Sequence, residues 1–186
     1  IFSDTVNTGT YILEPEVMLY VLMNREQDFS NDLFPLLLLR NEPMFGYVAD
    51  GYWCDIGNLA VYRQAHRDVL DGLVKIKNDL PQIEPGIFVG QGTQIDSSVK
   101  LEAPVMIGEN CRIGRETVIS SYTTIGSNVA IQEKASLKQP VVWSNVYVGS
   151  KVQMRACVVC NNTTVHNSAE LLEGAIIGDN SSVGQE

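Results

Sequence analysis

The sequence predicts an α/β segment over residues 1–76, a linker over 77–86 and a three-sided parallel β coil over 87–186. Two observations carry this reading. Through the second part, apolar residues recur at every sixth position. The first part lacks that period and shows short strand-like and helix-like stretches instead.

Each element of the first part has its own signal. "TGTYIL" reads as a strand, and "PEVMLYVLM" as a short amphipathic helix with Pro15 near its start. "DFSNDLFPLLLLR" reads as a helix opening near Ser30, where Asn31 and Asp32 suit the first turn. "MFGYVAD" and "YWCDI" read as two strands around a turn at Asp50 and Gly51. From Asn58 to Leu70, one helical face collects Leu59, Tyr62, Ala65, His66, Val69 and Leu70, and Gly72 closes the helix. The linker carries two prolines in "KNDLPQIEPG".

In the second part, steps of six from Val89 land on Ile95, Leu101, Ile107, Ile113, Ile119, Ile125, Ile131, Leu137 and Trp143. With 45% hydrophobic residues, ten hits in one phase have a chance of about 3 in 10,000. A second track of small or β-branched residues lies two positions before each, as at Val105, Cys111, Thr117 and Thr123. The register then slips, to Val148 and Met154, and again to Val159, Val165, Leu171, Ile177 and Val183. Each slip predicts one shortened corner, the first between Leu137 and Val148 and the second between Met154 and Val159. Six residues suit one side of a three-sided coil, with one aliphatic and one small residue inward and glycine, Asn or Asp at the tight corner. At roughly 18 residues and ~4.8 Å per coil, about five coils are expected. A β-sandwich would instead alternate with period two.

Composition narrows the function classes. A net charge of −9, from 13 Lys+Arg against 22 Asp+Glu, argues against a nucleic-acid partner. No run of eighteen apolar residues suggests a membrane span. Cys54, Cys111, Cys157 and Cys160 without a signal peptide suggest free thiols and a reducing, cytoplasmic setting. The chain starts with Ile1, close to an apparent strand, and reads as a piece of a longer protein.

The stretch "DGYWCDIGN" holds the main candidate for chemistry. From its position, Asp55 is a helix-start acid; as a hard oxygen ligand it could also hold Mg²⁺ beside a phosphate-bearing substrate. "NTGTYILEPEV" (Asn7 to Val17), "DFSNDLFPLLL" (Asp28 to Leu38) and "GYWCDIGNLAVYRQAHRDVLDG" (Gly51 to Gly72) together resemble sugar-phosphate nucleotidylyltransferases, most closely mannose-1-phosphate guanylyltransferases. The repeat resembles the hexapeptide-repeat left-handed β-helix that such enzymes carry after their Rossmann-like domain. The resemblance implies that Asp55 helps coordinate the catalytic Mg²⁺. It also implies that Asn7, Thr8 and Gly9 line the sugar-phosphate pocket. The substrates would be a sugar 1-phosphate and a nucleoside triphosphate, with mannose 1-phosphate and GTP giving GDP-mannose and pyrophosphate. Glucose 1-phosphate with ATP or dTTP is the alternative. The family's glycine-rich nucleotide loop, first metal-binding aspartate and substrate lysine are not among these 186 residues. The chain alone is therefore expected to be inactive, and "VGQGTQ" is read as coil corners.

Other residues compete for a role. Cys157 and Cys160 form a C-x-x-C without a second pair, and are read as coil packing rather than a zinc or redox site. His166 follows an inward Val165, so it should point outward; hexapeptide-repeat acyltransferases use such a histidine as general base, which is the rival enzyme class. His66 is read as half-buried packing. A non-enzymatic reading makes the coil an assembly or regulatory module, and copies are expected to associate through it.

Overall fold

The computed structural model describes residues 5–77 and 79–184. The chain divides into two compact units, Ile1–Trp53 and Cys54–Glu186.

In the first unit, a 3₁₀ helix spans Pro15–Tyr20 with Pro15 at its first position. A wide turn over Phe29–Leu33 then runs into α1, Phe34–Leu39. Asp28 caps this turn: its carboxylate accepts from the backbone N–H groups of Ser30 and Asn31, both at 2.8 Å. Asp32 returns the favour, accepting from the Asp28 N–H at 2.8 Å. The cap thus falls two residues before the expected Ser30, because the aspartate reaches two orphan amides at once. Leu33 and Leu37, one helical turn apart, are buried. The expected strands "TGTYIL", "MFGYVAD" and "YWCDI" are not strands. A strand needs a hydrogen-bonded neighbour, and no ladder partner lies beside these segments among the described residues. Ile12, Phe45 and Tyr47 are almost fully exposed.

The second unit opens with α2, Leu59–Leu70, as the sequence predicts. From residue 87 the chain winds into a parallel coil with three flat faces. The first face stacks Ile87–Val89, Val105–Ile107, Thr123–Ile125, Val141–Val142, Val158–Val159 and Ile176–Ile177. The second stacks Gln94–Ile95 through Ser182–Val183, and the third Lys100–Leu101 through Glu170–Leu171. Five complete coils and part of a sixth result, in line with the expected five. Gln82–Glu84 pairs antiparallel with Ile87–Val89 and covers that starting edge.

Inward residues stack in columns, so that Leu101, Ile119, Leu137, Met154 and Leu171 sit directly over one another. Ile107, Ile119 and Leu137 are wholly removed from solvent. Each such side chain contributes about 1.5–3 kcal/mol of apolar burial. One member of the predicted track is wrong. Val142, not Trp143, pairs with Ile125 and Val159 and fills the core. The first shortened corner therefore lies between Leu137 and Val142, and Trp143 is turned outward.

The corners also differ from expectation. Left-handed backbone appears at Asn110, Glu116, Tyr122, Asn128 and Lys134, then Gln139, Asn145 and Lys151, then Ala156, Asn162 and Ser168. The step is six except at Gln139 and Ala156, where it is five. These are the two shortened corners, both leading into the first face. Asparagine prevails at one corner only. There Asn128 donates to Asn145 at 3.1 Å, and Asn145 to Asn162 at 3.2 Å. The glycines just after inward residues serve stacking instead. A Cβ on Gly149 would lie 2.6 Å from the Asn167 amide nitrogen of the next coil.

Candidate functional site

The first unit holds the turn at Asn7, Thr8 and Gly9. Gly9 N–H donates to Asn7 Oδ1 at 3.0 Å, closing an Asx turn that needs the positive φ of +73° at Gly9. The Asn7 side-chain amide also pairs with the Tyr11 hydroxyl. Tyr11 stacks on Phe29 at 5.4 Å and meets Phe34 edge-on at 4.8 Å. The turn is thus anchored on the aromatic start of the α1 segment. Asn7, Thr8 and Gly9 are exposed, and nothing lies within 4 Å of where a Gly9 side chain would project.

Asp55 belongs to the second unit, four residues before α2. Its carboxylate is exposed, and its backbone carbonyl accepts from Gly57 N–H at 3.0 Å. The helix-capping role goes to Asn58, whose Oδ1 accepts from Val61 N–H at 3.0 Å. The Asn58 carbonyl takes the first helical bond, from Tyr62 N–H at 3.0 Å. Asp55 is therefore free of the capping duty that its position suggested. Among the described residues, no group of three His, Cys, Asp or Glu side chains converges as a complete metal cage. One exposed carboxylate fits Mg²⁺ only in the mode where the ion keeps waters and takes further oxygens from substrate phosphates.

Side chains on α2 meet the corner that leads into the first face. Arg63 lies 3.9 Å from Glu173, Arg67 donates to Gln139 at 2.6 Å, and the Tyr122 hydroxyl donates to Asp71 at 3.0 Å. Residues 63, 67 and 71 repeat every four positions, so they share one helical face. Their partners descend through the coils, so the helix runs along the edge against the direction of winding. Trp143 Nε1–H donates to the Tyr62 hydroxyl at 2.9 Å, and Tyr62 meets His66 edge-on at 4.7 Å. Burial raises the Tyr62 pKa, with the nearby Cys160 thiol adding to the effect and the Trp143 bond opposing it. Burial lowers that of His66, consistent with packing. Val141 and Val158 point away from the coil interior yet are buried on this face.

The remaining candidates separate. Cys157 is wholly buried in the coil, and burial pushes its thiol up to about 11. Cys160 is half-buried, burial raises its thiol pKa as well, and neither cysteine is bonded to another. His166 projects from the coil and meets Ser182 Oγ at 2.8 Å. Sequence reasoning missed Trp143, Gln139 and the Asp28 cap. The slip in the six-residue period was the available signal for the first two.

Residues 84–186 match the family described as "EIF2B subunit epsilon LbH domain", and residues 2–72 match "Nucleotidyl transferase". A UTP–glucose-1-phosphate uridylyltransferase of Synechocystis is 35% identical over 151 residues, covering 79% of this chain and 38% of its own. A glucose-1-phosphate adenylyltransferase of Desulfitobacterium hafniense is 24% identical, covering 97% of this chain and 42% of its own. A mannose-1-phosphate guanyltransferase of Hypocrea jecorina is 26% identical, with 99% and 47% covered. The chain spans less than half the length of each of these relatives. The resemblance read from the motifs and the left-handed hand of the coil both hold. The relatives include glucose and mannose enzymes alike, so the finer likeness to the mannose enzymes does not stand out.

Proposed function

From a chain that belongs to the EIF2B subunit epsilon LbH domain family through residues 84–186, and that matches nucleotidyl transferases over residues 2–72, we propose the C-terminal part of a sugar-1-phosphate nucleotidyltransferase. The single observation that carries this reading is the order of the two matches on one chain, with the "DIG" segment at the end of the first. In the reaction, a phosphate oxygen of the sugar 1-phosphate attacks the α-phosphorus of a nucleoside triphosphate. The new P–O bond forms as the α–β bridging bond breaks, and pyrophosphate leaves with that electron pair. Positioning supplies most of the acceleration in such transfers.

The residues of this chain take two roles. The Asn7–Thr8–Gly9 turn receives the sugar phosphate: its open face and positive-φ glycine leave room for a close approach to the backbone. Asp55 presents an exposed carboxylate at the entry to α2 and would hold Mg²⁺ together with substrate phosphates. The ion, when bound, offsets charge on the phosphates. Mannose 1-phosphate with GTP is one substrate pair. The 35% identity to a uridylyltransferase supports glucose 1-phosphate with UTP equally, and adenylyltransferase relatives support ATP. Pyrophosphate release by the full-length protein, measured across mannose and glucose 1-phosphates with GTP, UTP, ATP and dTTP, tests the reading. One pair should exceed the others by at least tenfold; no release with any pair would overturn it.

A further inference from the structure

We propose that the β-helix sets the position of Asp55 through α2, with Trp143 and Tyr62 as positioning residues. The inference rests on the reading of Asp55 given above and extends it to residues far away in sequence. Tyr62 is the junction. Its side-chain hydroxyl takes the Trp143 Nε1–H bond at 2.9 Å, while its backbone N–H donates to the Asn58 carbonyl at 3.0 Å. Asn58 caps the helix through Val61, and Asp55 is tied to the same turn by the Gly57 N–H bond. An unbroken run of bonds thus leads from a β-helix side chain to the segment carrying the carboxylate. At its other end the helix is held by Arg67 to Gln139 and by Asp71 to Tyr122, which fixes its rotation and its position along the edge.

The coil is altered where this seat is built. Its two five-residue steps end at Gln139 and Ala156, on the corner column that α2 follows. The first of them turns Trp143 outward and makes Gln139 the corner residue that accepts from Arg67. A uniform six-residue repeat would have buried residue 143 in the core and left no donor for Tyr62. A helix that only shielded apolar surface would need none of these directional bonds.

Two variants test the proposal without removing the packing: Trp143→Phe deletes the donor and Tyr62→Phe deletes the acceptor. Hydrogen exchange on the 186-residue chain reads the geometry. Exchange at the amides of Gly57, Val61 and Tyr62 should quicken about three- to tenfold, the scale of one lost net hydrogen bond. Amides of Leu137 and Val148 should keep wild-type protection, which separates loss of seating from unfolding. In the full-length protein, half-saturating Mg²⁺ should rise by a similar factor while kcat at saturating Mg²⁺ stays within twofold. Wild-type exchange in both variants overturns the proposal. So does faster exchange with unchanged Mg²⁺ dependence, which would make the seat purely structural. Asp55→Asn is the control. If that variant keeps wild-type turnover, the metal-site reading itself fails; if it is inactive while the two Phe variants match wild type, only the positioning fails.

Discussion

Single residues in this coil differ by what holds them, and the cost of changing them should differ accordingly. Ile119 is wholly buried in its column between Leu101 and Leu137, so Ile119→Ala should destabilise by about 2–5 kcal/mol in urea unfolding. Gly149→Ala drives a Cβ to 2.6 Å from the next coil's backbone, and should cost about 1–3 kcal/mol. Gly9→Ala meets no atom and should cost only the left-handed backbone penalty, about 1–2 kcal/mol. Cys157 adds a pH signature. Its folded pKa is raised by burial from 9.0 to about 11, so the thiol form is the one the fold favours. That contribution is complete below pH 9 and is lost as pH rises toward 11, because the unfolded thiol ionises first. Thermal melting should accordingly fall between pH 9 and 11, and Cys157→Ala should flatten that part of the curve.

At the scale of elements, much of the coil was legible because one period encodes it: an inward aliphatic residue every sixth position is both the local pattern and the global core. The slips were legible too, but their exact residue was not. Val142 and Trp143 are both apolar, so hydrophobicity cannot choose between them, and only strand pairing with Ile125 and Val159 does. Corners were partly misread for a different reason. Left-handed backbone at Glu116, Tyr122 and Lys134 is imposed by the coil on both sides and does not require glycine. Helix α2 was legible from its apolar face, whereas nothing in the sequence singled out Arg63, Arg67 and Asp71, whose partners lie far along the chain. The strand-like segments before residue 57 failed because alternation alone does not supply a neighbour. The asparagine corner offers a test at this scale: Asn145→Ala removes two ladder bonds and the residue suited to its φ of 59°, and should cost about 1–3 kcal/mol.

For the molecule as a whole, the two matches in series place the "DIG" segment at the entrance to the helix that the coil holds. The candidate site was legible in its motifs but not in its mechanics. Asp55 looked like a cap, and Asn58 proved to be one. That leaves the Asp55 carboxylate exposed and outside the helix cap. The most direct measurement is pyrophosphate release by the full-length protein and its Asp55→Asn variant at saturating Mg²⁺, with melting temperature followed in parallel. Because the side chain is exposed, stability should change by less than about 0.5 kcal/mol. In that variant kcat should fall by at least about a hundredfold, the loss of a charge-stabilising group on the phosphates. Wild-type turnover in the variant, with the fold intact, would contradict the metal-site reading of Asp55.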